Sequence, residues 1–238
     1  MRHLKTIWRT GILVHILLAL TYTTPWDNFL IARSVWTYPA DRVVGVWGYV
    51  PYEEYLFFVL QTVICALSLY LSWFVTNRSF DGDLYLVEKT SSSKERARLF
   101  GPLFFGAITL CSVCGLFYDS TFYLSLIFVW ASPVFALQWF VGGDSLWRER
   151  RRVGAVLLLN SAYFWVADAF ALRQGIWSIS DQYTLGWQVA GLPVEEALFF
   201  MVTSLLVIQG LTLLHCPQLR NRASLFFLPK KISANEGI

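Results

Sequence analysis

Two pairs of adjacent glutamates stand in the same local sequence at distant points of the chain. Residues 50–58 read V-P-Y-E-E-Y-L-F-F, and residues 192–200 read L-P-V-E-E-A-L-F-F. Each copy places two carboxyl groups at the start of a long apolar run. Adjacent carboxyls at a site poor in water cannot all ionise, so one is expected to hold a proton beside a carboxylate. The motif therefore predicts acid–base chemistry.

Each glutamate also precedes a phenylalanine by four residues, which puts carboxyl and ring on one stripe of a helix. The four pairs are Glu53–Phe57, Glu54–Phe58, Glu195–Phe199 and Glu196–Phe200. The face of an aromatic ring stabilises a nearby cation. An acid, a base and such rings in an apolar setting suit chemistry through a carbocation on an apolar polyene.

A structural role for the glutamates is the simpler alternative. Proline at the first helical position, with acids in the first turn, favours the start of a helix. However, acidic residues at the edge of a membrane span are costly and tend to mark function. Both the double Glu and the double Phe are retained in the two diverged copies. A helix cap would accept Asp, Ser or a single acid, so the repetition favours a functional site.

The repeat extends upstream of the glutamates. The segment from Asp27 to Trp36 aligns with the segment from Asp168 to Trp177 at an offset of 141, and the P-x-E-E copies follow at 142. The aromatic residues between each aspartate and its glutamates are typical of belts at a bilayer interface. Alternatively, they line a segment that admits a lipid-soluble ligand.

The composition predicts that membrane-spanning helices position these residues. Of the 238 residues 56% are hydrophobic and 15% are charged, which is too apolar for a soluble domain of this length. Six apolar runs approach the ~20 residues that cross a bilayer, at about 8–25, 52–75, 99–117, 121–141, 153–171 and 193–214. The sequence predicts an all-α integral membrane protein with six to seven transmembrane helices.

The basic residues predict how these helices are oriented, because cytoplasmic loops are enriched in Lys and Arg. Sixteen of the 19 lie at the N-terminus, after the second run, after the fourth run or in the C-terminal tail. The exceptions are Arg33, Arg42 and Arg173. We expect a multi-pass protein of the cell membrane with both termini in the cytoplasm. The net charge of +3 follows from this distribution and does not indicate a nucleic-acid partner.

The runs are organised as one membrane domain over residues 1–238. Repeat one covers about 8–75, repeat two covers about 153–214, and spans three and four connect them. An even number of crossings separates the copies, so both point the same way, as in a parallel repeat. A pseudo-twofold arrangement would bring the two glutamate pairs around one cavity.

At these residues the chain resembles the membrane-integral lycopene cyclases. P-x-E-E in both copies and the upstream P-W-D-N-F carry the resemblance, which covers nearly the whole chain. These enzymes occur as two small subunits, as one fused chain or as a domain of fungal bifunctional enzymes. The length of this chain is similar to that of the fused form.

The resemblance implies a lycopene beta-cyclase that closes the ends of lycopene to β-ionone rings, by way of γ-carotene to β-carotene, without net redox change. One of Glu53 and Glu54 and one of Glu195 and Glu196 are expected to supply acid and base. Asp27 and Asp168 would orient them or relay protons, with helix-end carboxylates as the alternative. The expected substrate-binding residues are Phe57, Phe58, Phe199, Phe200, Trp36 and Trp177.

No cofactor is expected. The chain has no G-x-G-x-x-G fingerprint for FAD or NAD, and its histidines are too scattered to indicate a metal site. The expected partners are a carotenoid substrate and the lipid bilayer, and an association with other carotenoid enzymes stays open.

Other activities also stay open. The resemblance equally allows a C50 carotenoid cyclase or hydratase of the same fold, or the formation of ε or γ rings, which differ from β rings in the proton that leaves. A small proton-coupled transporter is the alternative from another class. A retinal-binding receptor is the weaker alternative, because no Lys lies in a predicted span to form the Schiff base.

Overall fold

The computed structural model describes residues 2–76 and 92–216, with side chains over 8–76 and 98–216. The basic segment predicted after the second span lies largely outside these residues, and so does the C-terminal tail. Within them the chain forms five α-helices. They are α1 (Arg2–Ala32), α2 (Tyr52–Val75), α3 (Ser92–Gly115), α4 (Phe122–Arg173) and α5 (Val194–Leu214).

The predicted class, an all-α membrane protein, is confirmed. Four segments are long and apolar enough to cross a membrane, namely Tyr52–Val75, Arg98–Gly115, Asp119–Arg173 and Val194–Leu214. Each of the six predicted spans coincides with a helical segment to within two residues, although the number of crossings stays a prediction. The first helix does not end at 25 as predicted. It continues through Pro25 to Ala32, and this extension places Asp27 within the helix.

Helix α4 contains the fourth and fifth predicted spans and the basic segment between them. Its 52 residues would measure about 78 Å if straight, far more than the ~30 Å hydrocarbon layer. The helix breaks at Gly142, whose φ of −152° and ψ of 35° are not helical. Near the break Asp144 pairs with Arg98 at 2.8 Å, whereas Tyr123 and Asp168, near its two ends, line one cavity. The chain therefore runs away from that cavity and returns to it.

Short strands shape the two connecting segments. They are β1 (Trp36–Thr37), β2 (Val46–Trp47), β3 (Val50–Pro51), β4 (Ser178–Ile179), β5 (Gln188–Val189) and β6 (Leu192–Pro193). Strands β2 and β3 form one hairpin, and β5 and β6 form another. Strand β1 pairs with β4 in an antiparallel ladder that places Thr37 opposite Ser178. This last pairing ties the segment before α2 to the segment before α5.

Apolar side chains divide between the packed interior and the outer surface. Ile127 and Ile208 are completely buried, whereas Leu17, Leu103 and Leu159 are each more than 60% exposed. An aqueous surface would not tolerate so many exposed leucines. Their positions on the outer helix faces suit contact with lipid.

Candidate active site

A cavity of about 80 Å³ lies where α1, α2, α4 and α5 meet. It collects one carboxyl group from each of the four helices, together with a wall of aromatic rings. Its lining residues are Asp27, Trp36, Tyr38, Glu54, Phe57, Tyr123, Asp168, Trp177, Glu196, Phe199 and Phe200. Nine of the twelve site residues predicted from the sequence are among them. The three that do not line it are Glu53, Glu195 and Phe58.

The two glutamate pairs owe their position to the prolines before them. Pro51 and Pro193 have extended backbone angles and precede the first residues of α2 and α5, so the glutamates fall in the first turn. Successive helical residues point about 100° apart. The two members of each pair therefore face different surroundings.

The first glutamate of each pair holds the segment before its hairpin. Glu53 Oε1 accepts a 2.8 Å hydrogen bond from the backbone N–H of Val44. Glu195 Oε1 accepts one of 2.7 Å from the N–H of Leu185. The donors are 141 residues apart and the acceptors 142, so the same contact occurs in both halves of the chain. These carboxylates are placed to position the backbone.

The second glutamate of each pair faces the cavity. The Tyr38 hydroxyl donates a 2.8 Å hydrogen bond to Oε1 of Glu54. Burial, followed by the negative charge of Glu54, raises the pKa of Tyr38 well above its ordinary value. The phenol is therefore a neutral, permanent hydrogen-bond donor to Glu54 at physiological pH.

Glu196 lies in a drier setting on the opposite helix. It is 4% exposed, and within the described part of the chain its Oε1 has no hydrogen-bond partner. The hydroxyl of Tyr123, completely buried in the same cavity, lies beside Glu196 and interacts with its carboxyl group. Burying an unpaired carboxylate is costly, so this environment favours the protonated acid.

The two aspartates also differ in their hydrogen bonding. Trp177 Nε1 donates a 3.1 Å hydrogen bond to Oδ1 of Asp168. Asp27 is 2% exposed, and its Oδ2, like the Oδ2 of Asp168, has no partner among the described residues. Nor does the Nε1 of Trp36, the tryptophan that aligns with Trp177. The structure thus brings both predicted aspartates into the cavity with unequal hydrogen bonding.

Aromatic rings close the cavity on the side of the membrane interior. Phe57 meets Phe200 edge to face, with ring centroids 5.8 Å apart. Trp26 stacks on Phe199 with centroids 5.6 Å apart and planes 3° from parallel. Phe58, predicted to bind substrate beside Phe57, instead lines a separate cavity deeper in the bundle. The helix turns it away from the carboxyl groups.

Two tyrosines in the cavity were missed as site residues. Tyr38 belongs to the aromatic segment before α2, which suggested either an interface belt or a segment that admits a lipid-soluble ligand, without singling out this tyrosine. Tyr123 stands at the start of α4 in no recognisable motif. A tyrosine at the second position of a helix is not recognisable as a site residue from the sequence. Only its tertiary contacts identify it as one.

The cavity continues into a second space of about 280 Å³. Glu54, Phe57 and Asp168 line both, and the second space extends outward to Arg42. Among the described residues, no group of His, Cys, Asp and Glu is arranged to hold a metal ion. The arrangement offers proton donors and acceptors within an aromatic enclosure.

Comparisons with known proteins agree on one family. The family described as Lycopene cyclase matches residues 1–73 and 120–214. The lycopene beta-cyclase of Halobacterium salinarum (strain ATCC 29341 / DSM 671 / R1) is 41% identical over 204 residues, which cover 85% of this chain and 81% of the relative. No solved structure matches the chain.

Fungal proteins show the same similarity over part of their length. The bifunctional lycopene cyclase/phytoene synthase of Arthroderma gypseum is 34% identical over 224 residues, which cover 88% of this chain and 36% of the relative. The protein of the same name from Phaffia rhodozyma is 35% identical over 221 residues, which cover 87% and 32%. The family match spans more than half of the chain, and the match to the archaeal relative covers most of both proteins. This chain belongs to the lycopene cyclase family.

Proposed function

We propose that this chain is a lycopene beta-cyclase, an intramolecular lyase that closes the linear ends of lycopene to β-ionone rings. The observation that carries the proposal is the cavity in which four helices each contribute one carboxyl group beneath aromatic rings. Cyclisation requires an acid, a base and a cation-stabilising enclosure, and this cavity contains all three. The family membership favours this enzyme over the transporter that the sequence left open.

Glu196 is the proposed acid and Glu54 the proposed base. A buried carboxyl oxygen without a hydrogen-bond partner suits Glu196 to hold a proton. The hydrogen bond from Tyr38 suits Glu54 to the ionised form, because a donor favours the charged state of a carboxylate. Asp27 and Asp168, in the same cavity, are proposed to return the proton from base to acid.

The atoms balance without a co-reactant. Glu196 delivers its proton to C2 of the terminal C1–C2 double bond, which leaves a cation at C1. The C5–C6 double bond attacks C1, closes the ring and moves the cation to C5. Glu54 then removes the proton from C6, and the C5–C6 double bond forms again. The rings of Trp36, Phe57 and Phe199 line the space around the cation.

The topology is proposed from the charge pattern. Six crossings with both termini in the cytoplasm would place the carboxyl cavity near the opposite face of the membrane. The 16 basic residues on the proposed cytoplasmic side support this orientation. Reporter fusions at the two termini and at the Arg42 segment would test it. An association with other enzymes of carotenoid synthesis also stays a proposal.

The function is tested in cells that accumulate lycopene, with pigments separated by chromatography. The unmodified chain should yield the one-ringed and two-ringed products. Glu196→Gln should leave lycopene unreacted, with a loss of about 10²–10⁴-fold. Glu54→Gln should lower the cyclase activity by a comparable factor. Its residual product should include other ring isomers or hydroxylated rings, because the cation then loses a proton elsewhere or captures water.

Glu53→Gln and Glu195→Gln are the matched controls. The amide oxygen still accepts the backbone hydrogen bond, so we expect both variants to stay within about tenfold of the unmodified activity, the cost of a weakened hydrogen bond. Unchanged lycopene despite insertion of the unmodified chain in the membrane would refute the function. Equal losses in all four variants would refute the division of roles within each pair.

A further inference from the structure

The carboxyl cavity is closed on one side and open on the other, although the two repeats supply matching residues to both sides. On the side of α1 and α5, six positions are buried, namely Trp26, Asp27, Leu30, Trp36, Glu196 and Phe199. The matching residue of the other repeat is partly or largely exposed in every case. These residues, on the side of α2 and the second half of α4, are Ala167, Asp168, Ala171, Trp177, Glu54 and Phe57.

Two positions on the helices account for the difference. On the closed side, Trp26 stacks on Phe199 with ring centroids 5.6 Å apart, and Leu30 is completely buried. The residues that match Trp26 and Leu30 in the second repeat are Ala167 and Ala171. A methyl group cannot fill the volume of an indole or an isobutyl group. Space therefore remains between α2 and the second half of α4.

This space is the one of about 280 Å³ that adjoins the carboxyl cavity. Ala167 and Ala171 line it, and it shares Glu54 and Asp168 with the carboxyl cavity. The carboxyl cavity alone, at about 80 Å³, is smaller than ordinary ligand pockets, ~300–1,000 Å³. The two spaces together reach the lower end of that range. A group as large as the end of a carotenoid therefore needs both.

The adjoining space faces the outer surface of the bundle. Ala167 on its wall is exposed, and the surface beside it carries Leu60, which is 48% exposed, and Tyr163, which is 58% exposed. Deeper in the membrane, the Ser68 hydroxyl donates a 2.9 Å hydrogen bond to Oδ1 of Asn160 and joins α2 to α4. The two helices are thus held together at depth and separate near Ala167. An apolar molecule in the lipid meets the gap there.

Resting on the proposed function, we propose that this gap between α2 and the second half of α4 is the entrance through which one linear end of lycopene reaches the carboxyl groups. Glu54 and Asp168 lie at the entrance, whereas Glu196 lies on the closed side. The tip of the molecule, which carries the C1–C2 double bond, passes furthest in and meets the proposed acid. C6 is nearer the polyene and stays beside the proposed base. The rest of the polyene remains in the lipid outside α2 and α4.

Closing the entrance tests this inference. Ala167→Trp and Ala171→Leu each introduce the residue that stands at the matching position on the closed side. Both leave the four carboxyl groups in place, so the residual product should still carry β rings. We expect each variant to lower the rate at limiting lycopene at least about tenfold, the effect typical of a misfit in an apolar pocket. The measurement is the initial rate in proteoliposomes that contain increasing amounts of lycopene.

Val166→Trp is the matched control, because it adds an indole one residue away at a position that is 73% exposed and lines neither space. It should stay within about threefold of the unmodified rate, the scale of a surface substitution. Thermal unfolding in detergent shows whether each variant folds, and Ala167→Leu replaces Ala167→Trp under the same criterion if the latter does not.

A loss of less than tenfold in both entrance variants would overturn the inference, and so would an equal loss in Val166→Trp. Failure of the proposed function would be seen separately, as lycopene left unchanged by the unmodified chain.

Discussion

Gln61 Nε2 and Thr203 Oγ1 lie 2.7 Å apart in the interior, where α2 meets α5. The two residues occupy matching positions after the two copies of the P-x-E-E motif, 142 residues apart. Thr37 and Ser178, another matching pair, are joined by a hydrogen bond of 2.9 Å between their hydroxyls. Residues related by a twofold axis contact each other only near that axis. We therefore propose a pseudo-twofold axis through both contacts, with the four carboxyl groups arranged around it.

The contact across this axis should stabilise the bundle. In a double-mutant cycle of Gln61→Leu and Thr203→Val, we expect a coupling free energy of about 0.6–1.7 kcal/mol, the range for hydrogen bonds between helices in membranes. The measurement is the unfolding of the purified variants in detergent or lipid. Strictly additive effects of the two substitutions would show that the hydrogen bond contributes nothing to stability.

The sequence predicted the chemical groups of the site better than their division of labour. The repeat identified four glutamates as equivalent candidates, because adjacent residues in a motif cannot be told apart without knowing which way each one faces. The structure separates them, since Glu195 accepts the N–H of Leu185 whereas Glu196 lines the cavity. The prolines fix where each helix starts. Which of the two carboxyl groups contacts the connecting segment depends on where that segment lies.

The helices were predictable from apolar length, and the partners of the carboxyl groups were not. The position of Tyr38 depends on the fold of a connecting segment, and Tyr123 lies in the first part of α4, before the second repeat begins. Repeat symmetry therefore gave no hint of either. The sequence predicted a basic loop between the fourth and fifth spans, because charged residues are typical of connections. In the structure the helix breaks at Gly142, and the charged residues after the break continue the helix.

The two aligned tryptophans should contribute unequally to activity. Trp177→Phe removes the donor to Asp168, and we expect a loss of about 10–100-fold, as for a lost hydrogen bond to a charged group. Trp36→Phe removes an N–H that bonds to nothing in the described chain, and it keeps a ring in the wall. Trp36→Phe should therefore lower the activity by less than about threefold. Pigment analysis at matched protein levels measures both.

A larger loss in Trp36→Phe than in Trp177→Phe would contradict this explanation. It would mean that the size of the indole at position 36 matters more than the hydrogen bond at position 177. Trp177→His, which keeps a ring N–H, serves as a rescue variant and should recover part of the activity.

Alkaline pH should destabilise the protein through Tyr38. Burial and the charge of Glu54 raise the pKa of Tyr38 in the folded state, whereas an unfolded tyrosine ionises near pH 10. Above about pH 10 the unfolded chain therefore binds fewer protons than the folded chain, and stability falls as the pH rises. Relative to Tyr38→Phe, the unmodified chain should lose up to about 1.4 kcal/mol per pH unit in this range.

Between pH 7 and 9 the phenol is neutral in both states, so the difference in stability between the two proteins should be constant. Thermal unfolding in detergent across pH 7–11 measures it. If the difference stays constant up to pH 11, the phenol ionises as easily in the folded state as in the unfolded one. The effects of burial and of the Glu54 charge on the pKa of Tyr38 would then be wrong.

Two glycines of α3 should respond to the same substitution in opposite ways. A Cβ at Gly101 would lie 2.6 Å from the Cβ of Trp139 on α4, whereas a Cβ at Gly106 would meet nothing within 4 Å. Gly101→Ala must push α3 away from the first half of α4, and we expect a loss of about 1–3 kcal/mol. Gly106→Ala should be neutral or stabilise by up to about 1 kcal/mol, because alanine favours the helix. Unfolding of the two variants in detergent tests whether Gly101→Ala destabilises the protein and Gly106→Ala does not. Equal effects on stability would show that α3 does not depend on close contact at Gly101.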